Sequence, residues 1–200
     1  MKIRTDFVTN SSSSSFTLEI RFDLKNGNKL VFEDTGGTAE GDRGEHFIYD
    51  AVANVSPKQL GMAKDVDELI RLLTDGIIDY EETEEIPKRK IFEDTKSKAY
   101  RFIKKMKKEI KSMDDIRLIK ISGDEFNHGT NYTRIYMFDR DTKRYYGLRQ
   151  GDDFVNVDGT RGGDLQFSDA DKCDDYRLVD KSVDIEEVYR EIVDAAAGTL

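Results

Sequence analysis

Phe16, Leu18, Ile20 and Phe22 alternate with Thr17, Glu19 and Arg21. Side chains on an extended chain point to opposite faces with a period of two. This stretch therefore reads as a strand with one buried face. Asn26-Gly27 follows at hairpin distance. Both residue types tolerate the positive φ that a tight turn between antiparallel strands demands. "KLVFED" (Lys29 to Asp34) then returns as the partner strand. An isolated hairpin is marginal in water, so its apolar face must meet a second layer.

The 200-residue chain offers that layer. Ser56-Pro57 opens a short helix, with Gln59 placed to close a capping box. Asp65 opens another, with Glu68 as its N3 partner, a stripe of Val66, Leu69, Ile70 and Leu73, and Gly76 as its stop. A long helix is expected from about Thr95 to Met113. Ala99, Phe102, Ile103, Met106, Ile110 and Met113 fall at helical spacing, while Arg101, Lys104, Lys105, Lys108 and Lys111 fill the other face. Three antiparallel strands follow, "IRLIKIS", "TRIYMFD" and "RYYGLR", with a turn at Asp139 to Thr142 between the last two. A final helix is expected from Ser182, striped by Ile185, Val188, Tyr189 and Ile192. Ile3 to Phe7 and "HFIYDAVA" (His46 to Ala53) read as further strands. Residues 35–45, 79–94 and 151–175 read as loops.

Strands come in runs rather than alternating with helices. The expected fold class is α+β: a mainly antiparallel sheet with a long basic amphipathic helix and a C-terminal helix. One domain is expected over residues 1–200, with a helical insertion at about 56–113.

Eleven Phe and nine Tyr supply bulky core. A chain of this size buries roughly 70% of its unfolded surface and needs no disulfide or metal to fold. The single cysteine, Cys173, excludes an internal disulfide framework and fits a reducing compartment. The first residues carry no apolar run of signal length, and no stretch of ~18 apolar residues occurs. A cytoplasmic location without a membrane partner is expected. Net charge is −9, which argues against general affinity for nucleic acid or anionic lipid. The charge is unevenly spread. Asp65 to Glu85 holds nine acids against Arg71 alone, whereas Lys88 to Lys111 holds 11 basic residues and three acidic ones.

Several motifs point toward chemistry and stop short of it. "GGTAEGDRG" (Gly36 to Gly44) lacks the Gly-Lys-Ser/Thr and following helix of a phosphate loop. "DRDTKRYYGLRQ" starts with Asp139 and Asp141 at calcium-loop spacing, then puts Arg144 where glycine belongs and Gln150 where the bidentate Glu belongs. The aspartates around Cys173 disfavour a thiolate there. No Gly-x-Ser-x-Gly elbow occurs. Neither histidine has metal-ligand spacing to a partner, so no cofactor or metal is expected. His46 stands beside Glu45. A catalytic centre, if the chain has one, is sought at Asp124, Glu125, His128 and the neighbouring Arg134, where acid, base and cation are close in sequence.

The sharpest candidate binding surface is the row Arg101, Lys104, Lys105, Lys108 and Lys111. It could grip phosphates or an acidic protein. Phe102 belongs to the apolar stripe, so aromatics for base stacking are missing from the basic face. The alternative is a solvated face that balances the preceding acidic block.

Near the amino end the chain reads "FVTNSSSSSF", residues Phe7 to Phe16. Serine favours neither helix nor strand, because its hydroxyl competes for backbone groups. Ser11, Ser12, Ser13, Ser14 and Ser15 read as a polar connection between strands, with an anion nest and covalent modification as alternatives. The string resembles the N-terminus of a loose group of uncharacterised bacterial proteins that begin with Phe-Val-Thr/Ser-Asn, a serine run and Phe. The likeness covers about Lys2 to Phe16. It implies a bacterial or phage-related source and carries no catalytic or binding residue with it. The resulting expectation is a non-catalytic binding or interaction module with a protein partner. An enzyme near Asp124, Glu125 and His128 and a nucleic-acid-associated protein using helix 95–113 are the alternatives.

Overall fold

The structure, a computed structural model, describes residues 15–37, 56–75, 95–96, 98–127, 130–151, 173–180 and 182–198. Strand β1 (Ser15–Leu24) and strand β2 (Lys29–Gly37) form the expected hairpin. Gly27 takes φ 85°, and Asn28 N–H donates to Asn26 Oδ1 at 2.9 Å. The hairpin is longer than its apolar pattern. Ser15, the last serine of the run, already pairs with Gly37 and Phe126, and Thr35-Gly36-Gly37 lies in strand rather than loop. Ladder partners on β1 draw these weak strand formers into the sheet, where local propensity alone would leave them out.

Three more strands extend the sheet: β3 (Ile116–Asn127), β4 (Thr130–Asp139) and β5 (Arg144–Gly151). A short β6 (Asp175–Leu178) closes it, giving the order β2-β1-β3-β4-β5-β6. All pairs are antiparallel except β5 with β6, which is parallel. Sequence reading left β6 out, because four residues carry too little alternation to register. The strand expected at "IRLIKIS" (116–122) is also longer than its pattern, since β3 pairs with β4 through Asn127. The expected strands at 3–7 and 46–53, the stop at Gly76 and the remaining loop segments lie outside the described residues.

Helix α1 (Pro57–Gly61) carries the expected capping box: Gln59 N–H donates to Ser56 Oγ at 3.2 Å and Ser56 N–H to Gln59 Oε1 at 2.8 Å. Such a cap contributes about 1 kcal/mol. Helix α2 (Val66–Asp75) begins where Asp65 Oδ1 accepts from Glu68 N–H at 2.8 Å. Helix α3 (Lys98–Glu109) is shorter than the expected 95–113. Ser112 caps a 3₁₀ turn at Met113–Asp115, and Asp115 Oδ2 accepts from the backbone N–H groups of Lys111 (2.7 Å) and Ser112 (2.9 Å). Helix α4 (Ile185–Ala196) starts at Asp184, not Ser182. Asp184 Oδ1 caps Glu186 N–H, while the Ser182 hydroxyl donates to Asp180.

Helices lie on both faces of the sheet. One face carries Leu18, Ile20, Phe22, Ile119, Ile121, Tyr136, Phe138 and Tyr145, clustered with Leu60, Leu69, Leu73, Phe102, Ile103 and Met106 of α1–α3. The helices inserted between β2 and β3 thus share the hairpin's own core. The other face carries Leu118, Ile135, Met137, Tyr146 and Leu148, covered by Ile185, Tyr189 and Ile192 of α4. The fold is α+β with a mainly antiparallel sheet.

Candidate functional site

The basic helix is anchored by its apolar stripe. Phe102, Ile103 and Met106 are buried, and the Phe102 ring meets Phe32 edge-on at 5.0 Å between centroids. That anchoring aims the polar stripe at solvent. Lys98, Arg101, Lys104, Lys105, Lys107, Lys108 and Lys111 are all exposed. Lys111 Nζ turns back to Lys107 O at 3.0 Å, and Lys108 Nζ lies 3.9 Å from the Glu109 carboxylate. The latter is an exposed pair that contributes about 0–1 kcal/mol and leaves the face strongly positive. Arg101, Lys104 and Lys108 fall three and four residues apart, so they line up over about 10 Å of helix.

The proposed catalytic group does not come together in the same way. Asp124 is Cα partner to Thr133, and Gly123 to Arg134. Consecutive residues on a strand face opposite ways. Asp124 is exposed and accepts from Thr133 Oγ1 at 2.7 Å. Arg134 is buried on the other face, in phase with Tyr136 and Phe138. The carboxylate and the guanidinium sit back to back through the sheet. Glu125 pairs in register with Tyr132. His128, His46 and Ser11 to Ser14 lie outside the described residues. Asp139, read against a calcium loop, spends Oδ1 on the backbone N–H groups of Asp141 (2.8 Å) and Thr142 (3.0 Å), which caps the β4–β5 turn. Among the described residues no group of three or more His, Cys, Asp and Glu could hold a metal ion.

Sequence reading missed two buried charged clusters. The first lies under α4. Lys120 is 3% exposed; its Nζ meets Glu186 Oε1 at 2.9 Å and sits 4.6 Å from the Tyr189 ring centroid. Glu19 stands 3.9 Å from the same ammonium. Arg21 pairs with Asp23 at 2.8 Å and donates from Nη2 to the Tyr189 hydroxyl. Burial pushes that hydroxyl up from its ordinary value, so Tyr189 stays neutral at any physiological pH. Every member is engaged, and the cluster fixes how α4 lies on the sheet.

The second cluster lies on the helix-rich face, toward β6. Arg134 and Arg149 are Cα partners across β4 and β5, 4% and 5% exposed respectively. Tyr136 is two residues along, opposite Gly147. Above Gly147 stand Cys173 Sγ and the Tyr176 ring, 2.9 and 2.8 Å from where a Cβ would be. Cys173 packs against the core, beside Tyr136, rather than sitting only among aspartates. The signal for the arginines was present in the alternation: Arg134 is in phase with Tyr136 and Phe138, and Arg149 with Tyr145. A polar residue on an apolar phase marks burial of charge.

No protein-family model matches the chain, and neither a curated protein nor a solved structure matches it. No helix among the described residues is long and apolar enough to cross a membrane.

Proposed function

We propose that this protein is a non-catalytic binding module that docks an acidic partner protein on the outward face of α3. The observation that carries the reading is the row of exposed cations on a helix whose other face is locked into the core. Lys104 and Lys105 make no ion pair among the described residues, so these two cations are not spent on the chain's own carboxylates. An acidic protein fits better than nucleic acid. The net charge of −9 repels a polyanion at long range, and no aromatic ring shares the basic face for base stacking. A short acidic segment can meet the row locally while the rest of its surface stays clear of the acidic remainder.

The test is fluorescence anisotropy with a labelled poly-glutamate peptide, a single-stranded oligonucleotide and a DNA duplex, at low and at physiological salt. The expected result is salt-sensitive binding of the acidic peptide, lost about tenfold or more in Lys104→Glu with Lys108→Glu. Circular dichroism checks that the variant folds. Peptide binding that is absent at low salt, or untouched by the charge reversal, overturns the reading. Tighter binding of either nucleic acid moves it to a nucleic-acid interface.

A further inference from the structure

We infer that the acidic partner of α3 is a second copy of this chain, docked through the outward face of its α4; the inference rests on the reading of α3 as a docking face. On α4, Ile185, Tyr189 and Ile192 are buried against the sheet, which turns Glu187, Glu191 and Asp194 to solvent. On α3, Phe102, Ile103 and Met106 do the same for Arg101, Lys104 and Lys108. Both helices are 12 residues long. The cations are spaced by three and then four residues, and the carboxylates by four and then three. The two stripes therefore match when the helices run antiparallel, with Arg101 opposite Asp194, Lys104 opposite Glu191 and Lys108 opposite Glu187. Each stripe spans about 10 Å. Antiparallel alignment also sets the positive end of each helix dipole beside the negative end of the other.

Lys104 and Glu187 make no ion pair among the described residues. Glu191 acts on the Arg177 guanidinium, which Asp175 already holds at 2.8 Å. Arg101 and Asp194 each have a contact within the chain, and exposed contacts of that kind exchange readily. Glu186 is spent on Lys120, and Arg190, whose Nε donates to Glu186 O at 3.3 Å, stands among the carboxylates. Asp184, Glu187, Glu191 and Asp194 still leave the outer side of α4 negative. The two helices lie on opposite faces of the sheet, so the chain cannot join its own stripes, whereas a second copy can. The contact sets one copy's α3 on the next copy's α4 and leaves one stripe of each sign open for further copies. The net charge of −9 on each copy opposes this at long range. That repulsion is screened beyond about 10 Å at about 0.1 M salt, while matched pairs are in contact. Exposed pairs are individually weak, so the association is transient and shows at high protein concentration.

The experiment follows the mass of the full chain by sedimentation and light scattering over a concentration series, at about 0.1 M and about 1 M salt, where charges are screened over about 10 Å and about 3 Å. The expected result is a mass that rises with concentration at the lower salt and stays monomeric at the higher. Lys104→Glu with Lys108→Glu, and separately Glu187→Lys with Glu191→Lys, should each weaken the association about tenfold or more. An equal mixture of the two variants should associate again, because one keeps the acidic stripe and the other the basic one. Circular dichroism checks that both fold. A labelled poly-glutamate peptide should compete with self-association of the parent, which needs no variant, and should bind the α4 variant as it binds the parent. A chain that stays monomeric at every concentration at the lower salt overturns the inference. Peptide binding retained in that case leaves α3 a docking face for a different protein; peptide binding lost as well overturns both readings. Association untouched by the α4 reversal overturns the assignment to α4, and association that persists at the higher salt overturns charge pairing as its cause.

Discussion

Gly61 ends α1 directly against the Phe138 ring of β4. A Cβ built on it would overlap the ring edge. Arg140, just past β4, donates to Gly61 O and pairs with Asp114 at 3.5 Å, so the helix end is held where it is. Gly61→Ala therefore cannot be absorbed by sliding the helix, and it should destabilise by about 1–3 kcal/mol, the usual cost of overpacking a core. Urea unfolding measures it; an unchanged midpoint would mean that the ring moves freely. The half-exposed Lys25–Asp141 pair at 3.0 Å is a different case, since such pairs contribute about 0–1 kcal/mol. Steric fit, not surface charge, sets stability at this corner. Nothing in the sequence marked Gly61 as a packing position. It follows a capped helical turn, where glycine is the ordinary stop signal.

The junction between α3 and β3 shows why the helix ended early. Ile110 and Met113 continue the apolar periodicity and are buried, so the pattern alone runs on to Met113. The backbone has already turned, because Ser112 and Asp115 satisfy each other's neighbouring N–H groups in a capping box built on Asp rather than Glu or Gln. The N–H groups of Ser112 and Lys111 hold the Asp115 carboxyl below the usual carboxylate range. A depressed folded pKa contributes stability that is complete above the unfolded value, about 3.9, and is lost as pH falls through the folded value. Asp175 beside Arg177 and Asp180 beside Ser182 are depressed too, so all three act in the same acid window. Asp115→Asn should lower the melting temperature at pH 7, while its difference from the parent shrinks toward pH 2. A difference that stays constant across that range would sink the account. The Ser56–Gln59 box was legible because its spacing and residue types are the common ones; the second box differs in both length of turn and chemistry.

At the scale of the molecule, α4 supplies the buried side chains that cover Leu118, Ile135, Met137, Tyr146 and Leu148, with Val179 packed beside them. Removing residues 182–200 should leave a chain that binds a hydrophobic dye and self-associates, since a sheet face of that size does not stay bare in water. Dye fluorescence and light scattering test this; a monomer that binds no dye would show that the face is covered otherwise. The hairpin at Asn26-Gly27, the buried phase of β1, the outward lysines of α3 and the apolar stripe of α4 were all readable from residue order. Each depends on contacts within a few residues: turn chemistry, a period of two or a period near 3.6. Strand order is of another kind. β1 pairs with β3 across about 90 intervening residues, and no local energy distinguishes that neighbour from β4. Short connections, by contrast, join β3 to β4 and β4 to β5, and those hairpins placed Arg134 opposite Arg149 and Asp124 on the far side of the sheet from Arg134. Backbone hydrogen bonds are alike for every partner strand, so the choice among partners falls to how all the buried faces pack at once. The candidate lysine row and the arginine pair came from the first kind of information, and the placing of α1–α3 and α4 on opposite faces of one sheet from the second.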